Sequence, residues 1–584
     1  MSGLGDDRKK QAAKAPPLRR GKACLNCRHL KIKCDGVHPI CGQCIRVPKD
    51  DPCEFNDTSS RTAELERAST VSRLQNRINE LEGHPGPSGR AVPYPGWSTT
   101  DFGRRNSPFS NSESSAGSRA SPRASSDDSL LNFQEPPLVM IQMLLDHFLP
   151  HATQFGFFLQ VERFREAALL SLEWANPLRP SPALLSVVYL WGVHLSLSQP
   201  LLSSEPVFLK RAQQQVASVD VAENNNSMHL LHTIQAQVLL STYMFRNKRF
   251  LEAEFHANGA ATLALGYQLH KIRSSRPLAP AVLGVPLLTE VYPTQPASPV
   301  EEGERIRAFW VVVSLQSSLG IALNAASLNF SILETSGASI DTPWPLEIDD
   351  YAAGALPRGY TGQETIKAFL TEDPSHASVA LPTFFAKAAV LLHRASRLGA
   401  NWSPNLSPQE ASSYSASYLW LDSRITQFWE TLPPLFAFYA HSSNARTLVL
   451  AHALTAAAAI RLHRSPGTID PDAARQKCVA AARAILACIG DTTVPDFTVA
   501  NPIVGSLCAM ACRVLMEEVR KARAFRGAWG ETVMRGEMPP PGAEEVALGN
   551  DLHAGMETMG VYAVGCSLIK YQLMKLQQEY EAPY

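Results

Sequence analysis

Six cysteines, Cys24, Cys27, Cys34, Cys41, Cys44 and Cys53, follow one another as C-x2-C-x6-C-x6-C-x2-C-x8-C. Thiolates are soft ligands, and a C-x2-C pair sets two of them on one tight turn. That is close enough to share a tetrahedral zinc with Zn–S bonds of about 2.3 Å. Two such pairs and two single cysteines supply six sulfurs. Two independent four-cysteine sites would need eight, so six suffice for two metals only if two sulfurs bridge both. Such a cluster also explains how so short a segment folds with almost no apolar core. A RING-like or ribbon zinc module is the alternative, but it would want eight ligands or histidines among them. His29 and His38 fall outside the ligand spacing.

The same stretch is basic. Residues 1–50 hold 12 Lys/Arg against 4 Asp/Glu (12 − 4 = +8), while the whole chain balances 54 against 54, so the remainder carries −8. A basic end on a mildly acidic chain points to a polyanion, nucleic acid ahead of membrane. A short helix is expected after Cys27, bearing Arg28, His29, Lys31 and Lys33. Cations on a metal-fixed helix can reach phosphates and base edges, and Lys can donate to guanine O6 and N7 in the major groove. The plainer reading is solvated charge on a structural zinc module. Arg8, Lys9, Lys10, Arg19, Arg20 and Lys22 form a basic arm that could serve nuclear import or add non-specific phosphate affinity.

The segment CLNCRHLKIKCDGVHPICGQCIRVPKDDPC closely resembles the Zn2Cys6 binuclear cluster domain of fungal transcription factors. It shares all six cysteines together with Arg28, Lys31, Lys33, Asp35, Gly36 and Pro39. The resemblance implies two zinc ions bridged by Cys24 and Cys41, and double-stranded DNA as partner. It places Lys31 on the bases of a CGG-type half-site and Arg28, Lys33, Lys22 and Arg20 on phosphates. It also implies a nuclear protein that regulates RNA polymerase II transcription and meets the transcription machinery or co-regulators. Leu30 departs from the pattern, since the family often has a basic residue there, which puts one backbone contact in doubt.

Further elements must position this cluster. Residues 1–23 read as a basic disordered arm, 24–53 as the cluster domain and 54–70 as a linker. Within residues 71–82, Val71, Leu74, Ile78 and Leu81 occupy a and d positions of two heptads, with Arg77 at g and Glu82 at the following e. One heptad upstream the same positions hold Glu64 and Arg67, so the seam stops. Two heptads alone are too short to hold in water. An isolated amphipathic helix is the other reading, and the resemblance favours a short coiled coil that makes a homodimer. The linker after Cys53 would then influence half-site spacing. Residues 83–134, rich in Ser, Pro, Gly and Arg, are expected to be disordered. Their Ser-Pro sites at Ser107 and Ser121 are frequent in such segments and carry little weight.

From 135 to 584 the chain turns apolar and helically periodic, with no run of alternating strands, so the fold class is all-α. Expected helices include Ala183–Leu197, Met228–Met244, Phe250–Leu269, Glu304–Leu323, Leu381–Leu398, Tyr414–Thr431, Asn444–Arg464, Pro471–Ile489, Pro502–Arg523 and Ala547–Glu581. At about 450 residues the zone exceeds the usual size of a single core, so a division into two lobes is one outcome. FLPHATQFGFF (Phe148–Phe158), the pair from Leu230 to Lys271, and ERIRAFWVVVSLQ with IDTPWPLEID resemble the middle homology region of the same fungal family. That resemblance implies a helical regulatory region that sometimes responds to small molecules, so an effector is an allowed partner. Leu315-Gln316 departs from the acidic or basic pair that relatives often carry.

Catalytic signatures are missing from the sequence. It has no G-x-S-x-G, H-E-x-x-H, G-x-x-x-x-G-K-[ST] or G-x-G-x-x-G. His194, His229, His232 and His256 read as core or surface histidines rather than catalysts. Cys508 and Cys512, one helical turn apart, could bind metal or sense oxidants, but buried free thiols are commoner. The protein is therefore not expected to be an enzyme. The rival is an enzyme or small-molecule sensor in the helical region, with the cluster only for targeting. The N-terminus lacks an apolar run, so no secretory signal is expected. The most apolar stretches, Ala183–Leu202 and Phe309–Leu328, contain His194, Gln199 and Pro200, and Gln316 and Asn324, which fit buried helices better than lipid.

Overall fold

The computed structural model describes Cys24, Cys27, residues 32–35, Val37, residues 40–46 and Cys53. It further describes 135–582 except 197, 220–226, 276–294, 324–338, 358, 372–379, 436–441, 491–498 and 534–538. These fall into two units, one within 1–122 and one within 123–584. The fold is all-α: 18 α-helices and no β-strand occur among the described residues, with one isolated bridge between Ser274 and Gly362. The expected linkers, coiled coil and Ser/Pro-rich stretch lie outside the described residues.

The N-terminal unit contributes α1 (Gly42–Arg46). In the larger unit come α2 (Leu138–Phe148), a 3-10 turn (Leu149–Phe155), α3 (Val161–Ala168), α4 (Pro182–Leu195), α5 (Gln199–Ser203) and α6 (Glu205–Ala217). There follow α7 (Ser227–Arg246), α8 (Phe250–Gly266), α9 (Pro299–Leu323), α10 (Ile348–Ala352), α11 (Thr365–Thr371) and α12 (Leu381–Ala400). The chain ends with α13 (Pro408–Thr431), α14 (Ser442–His463), α15 (Pro471–Gly490), α16 (Ile503–Val533), α17 (Ala543–Ala563) and α18 (Ser567–Glu581).

Local signals set the starts. Ser181 accepts the Leu184 N–H at 3.4 Å ahead of Pro182, whose missing N–H costs nothing at a first turn. Ser407 and Glu410 form a reciprocal capping box (2.9 and 3.3 Å) around Pro408. The stretch expected as one helix over Ala547–Glu581 is two. Cys566 takes an extended conformation (φ −137°, ψ 109°), and the Gly565 carbonyl left outside a helix accepts from the Arg246 guanidinium of α7. A partner far away in sequence therefore fixes that break.

One contiguous apolar core runs from Ile141 to Leu576, so the unit is not divided into lobes. At its centre α14 packs on α12, where buried alanines of both helices (Ala451, Ala457, Ala458; Ala386, Ala388, Ala389) let the backbones approach. Over Asn444–His463, α14 is long and apolar enough to cross a membrane, but 78% of that window is buried, the position of a core helix. A buried polar network ties the first helices to the last. Arg246 Nε donates to His194 Nε2 (3.0 Å), so His194 Nδ1 carries the hydrogen to Glu205 (2.7 Å), which also accepts from Tyr243 OH (2.6 Å). Arg246 Nη1 donates to the Ala500 carbonyl at 3.0 Å.

The three sequence stretches resembling a middle homology region meet one another in this core. Gly156 has φ +84°, and a Cβ there would lie 2.9 Å from Val238 and 3.1 Å from Val311. The buried Gln235 side chain brackets that turn, accepting the Phe158 N–H (2.7 Å) and donating to the Gly156 carbonyl (3.0 Å). The Trp310 indole donates to the Pro343 carbonyl (2.6 Å) and stacks on Trp344 (4.3 Å between centroids). Asp341 accepts from Lys271 (3.0 Å), Ser274 (2.7 Å) and the Glu364 N–H (2.8 Å).

Candidate metal centre and nucleic-acid interface

The core of the N-terminal unit is sulfur. Cys24, Cys27, Cys34 and Cys41 are buried, with Cys44 and Cys53 packed against them, while Ile32, Val37, Ile40 and Ile45 face outward at 41, 55, 47 and 63% exposure. No apolar cluster replaces a metal here among the described residues. Two sulfurs on one tetrahedral zinc with 2.3 Å bonds stand about 3.8 Å apart. The Sγ separations are 3.6 Å for Cys24–Cys41, 3.7 Å for Cys27–Cys41 and 3.9 Å for Cys24–Cys44. The thiols form two groups of four, Cys24/Cys27/Cys34/Cys41 and Cys24/Cys41/Cys44/Cys53, within which all sulfurs lie within 4.8 Å. Cys24 and Cys41 belong to both, so the donor set fits two metals sharing an edge.

Local geometry repeats at the two pairs. Each C-x2-C turn directs the N–H of its second cysteine at the sulfur of its first: Cys27 N to Cys24 Sγ and Cys44 N to Cys41 Sγ, both 3.4 Å. Cys53 Sγ accepts from Cys41 N at 3.3 Å. Burial raises the Cys24 and Cys27 thiols. Burial raises Cys41 too, but the Cys44 N–H and neighbouring thiols together hold it down at about 6. Six thiolates so close need a compensating charge, and two Zn2+ reduce −6 to −2, leaving an anionic cluster that suits a basic surround.

Asp35 locks the loop to α1. Its carboxylate accepts the Gly42 N–H at 3.1 and 2.9 Å and the Val37 N–H at 3.4 Å. A Cβ on Gly42 would sit 2.4 Å from Asp35 Oδ2, so glycine is required where the chain leaves Cys41.

Among the expected DNA contacts, Lys33 is described and exposed. Arg28, Lys31, Lys22 and Arg20 lie outside the described residues, as do Val71, Leu74, Ile78 and Leu81. The helix expected after Cys27 falls on the same gap. At its borders Cys27 is helical and the Ile32 N–H donates to the Cys27 carbonyl at 3.0 Å. Ligand spacing alone predicts neither α1 nor the need for Gly42; only the CGQC spelling hints at a tight approach.

Residues 22–63 match the Fungal Zn(2)-Cys(6) binuclear cluster domain. The N-terminal segment is a zinc cluster domain of that family, and its cofactor is two zinc ions. Over 67 residues the chain is 40% identical to the Notoamide biosynthesis cluster transcriptional coactivator notQ' of Aspergillus versicolor, 12% of each chain. Over 388 residues it is 22% identical to two proteins: the Citrinin biosynthesis transcriptional activator mrl3 of Monascus ruber and its counterpart ctnR of Monascus purpureus. That match covers 61% of this chain and 67% and 59% of those relatives. No solved structure matches.

Elsewhere, the groups able to hold a metal among the described residues are those two cysteine sets. Cys508 and Cys512 are fully buried, and burial raises the first well up and the second to about 12, which makes them poor nucleophiles and ligands. His232 Nδ1 accepts the Ser181 N–H (3.3 Å), and His256 Nδ1 donates to Gln237 (2.7 Å); both have core roles.

Proposed function

We propose that this protein is a zinc-dependent, sequence-specific DNA-binding regulator of RNA polymerase II transcription, working in the nucleus as a homodimer on paired CGG-type half-sites. The observation that carries the reading is the pair of four-thiol groups sharing Cys24 and Cys41 inside a basic segment. Zinc supplies the fold of that segment. Coordinated by Cys24, Cys27, Cys34, Cys41, Cys44 and Cys53, it fixes the stretch from Arg28 to Lys33, from which Lys31 reaches guanine edges. Arg28, Lys33, Lys22 and Arg20 hold phosphates. Val71, Leu74, Ile78 and Leu81 join two chains. Residues 135–584 form the regulatory region, and the relatives named as biosynthesis activators support activation of a biosynthetic gene set over repression, and a regulator over an enzyme.

The test is binding of the full-length protein to duplexes with paired CGG triplets at varied spacing and orientation, with and without a zinc chelator, beside a scrambled duplex and a Lys31→Ala variant. Zinc-dependent preference over the scrambled duplex by ~10³ or more, lost on Lys31 replacement, is expected. Equal, salt-sensitive affinity for every duplex would overturn it.

A further inference from the structure

The DNA-binding reading leaves a cavity in the helical unit unused. It measures about 160 Å3, against the ~150 Å3 of an engineered apolar cavity that admits benzene, so it has room for one ring. Its long wall is one stripe of α9, where Arg307, Val311, Ser314, Leu315, Ser318 and Leu319 recur at helical spacing. Phe155 on the 3-10 turn, Phe245 on α7, Phe385 on α12 and Leu450 on α14 close the other sides. These elements are held by the core, so the walls are preformed. Trp310 also lines the cavity, and its indole N–H is already engaged with Pro343.

The polar atoms of the wall are unevenly distributed in kind. Ser314 and Ser318 donate back to the carbonyls of Trp310 and Ser314, each at 2.8 Å, and Thr242 donates to the Val238 carbonyl at 2.9 Å. Such hydroxyls have spent their hydrogens and present only lone pairs. Arg307 is the wall's strong donor; its guanidinium hydrogen-bonds none of the described residues and feels Glu347, Tyr351, Glu304 and Asp349 through space. Glu347 lines the same cavity; burial raises its carboxyl, the Arg307 charge opposes that rise, and Asp350 and Asp349 add to it. A ring-sized apolar space with a guanidinium whose N–H groups have no hydrogen-bond acceptor among the described residues suits a flat apolar body bearing an anionic acceptor.

We propose that this cavity is a binding site for a single-ring aromatic carboxylate, its ring among Trp310, Leu315 and Phe385 and its carboxylate on Arg307. This assigns the helical unit a small-molecule input that no DNA measurement would reveal, and its test stands apart from the DNA reading.

Calorimetric titration of the full-length protein with benzoate, benzylamine and benzyl alcohol separates charge from shape. Benzoate should bind saturably with Kd below about 1 mM, within reach of nine non-hydrogen atoms in a preformed pocket. Benzylamine should bind at least about 10-fold more weakly, the scale of one charged hydrogen-bonding group. Arg307→Met should remove that preference while leaving benzyl alcohol affinity within about threefold. Leu315→Phe, which fills the half-buried side of the cavity, should weaken all three ligands, and it decides the matter with the benzoate–benzylamine comparison should Arg307→Met not fold. No saturable benzoate binding at millimolar concentration, equal binding of the amine, or benzoate binding undiminished by Leu315→Phe would each overturn the proposal.

Discussion

Replacing one cysteine should cost one zinc or two depending on which cysteine it is, and the thiol geometry says which. Cys34 belongs only to the group of Cys24, Cys27 and Cys41; Cys24 and Cys41 belong also to the group with Cys44 and Cys53. Structural zinc sites bind with apparent free energies of about 10–16 kcal/mol, or roughly 3 kcal/mol per thiolate shared among four, about 10²-fold in affinity. Cys34→Ala therefore weakens one site by about 10² and leaves the other four-thiol set whole. Cys24→Ala removes a ligand from both, about 10⁴ in the product of the two constants, and with it the shared edge. The assay is zinc per chain by atomic absorption after dialysis against a competing chelator set so that the parent protein retains two. The expected series is two for the parent, one for Cys34→Ala, and none for Cys24→Ala or Cys41→Ala. Equal zinc contents for Cys24→Ala and Cys34→Ala would refute the shared-edge reasoning.

In the helical unit, Gly156→Ala should destabilise by ~2–4 kcal/mol, combining a left-handed residue with a Cβ pressed on Val238 and Val311, read as a lowered urea midpoint; an unchanged midpoint would remove the strain argument. Acid should weaken the same unit between about pH 6.5 and 3. Burial lowers His256 to about 4 and His393 to about 3, so the unfolded chain binds protons there that the native one refuses. The stability is whole above pH 6.5 and drains as pH falls, by about 2 kcal/mol for each of the two at pH 5. Thermal melts from pH 7 to 5 check this, and a doubly substituted His256→Gln, His393→Gln protein should show a flatter pH dependence.

What could be read from the sequence divides by the range of the interaction behind it. The metal cluster is a local pattern, and the spacing of its cysteines alone states the ligand count. Helix positions were legible where an apolar stripe marked them, and boundaries slipped where the stripe faded. The start of α13 lies at Pro408 rather than Tyr414 because its first turns are exposed and polar, and α16 runs on to Val533 past Arg523. The break near Gly565 depends on Arg246, and the demand for glycine at 42 on the Asp35 carboxylate across the loop. The first has no local signature, and the second only the CGQC spelling. The cavity was invisible because its walls come from separate helices whose lining residues, taken singly, read as ordinary core.

The two units draw their stability from different physics, and this bears on how such a protein can be controlled. Among the described residues of the N-terminal unit the buried side chains are cysteines and the isoleucines lie outside, so ordering that segment costs entropy that apolar burial does not return. Coordination must supply it, which couples the fold of the cluster to zinc. In the helical unit burial is apolar and continuous, and the cavity lined by Arg307 is a local gap in an otherwise closed core. A molecule filling that gap adds contacts to the native state alone, so its effect scales with RT ln(1 + [L]/Kd) and needs no change in the metal cluster. Zinc therefore acts on the stability of the cluster through its thiolates, and the proposed ligand would act on the stability of the helical unit through the cavity wall.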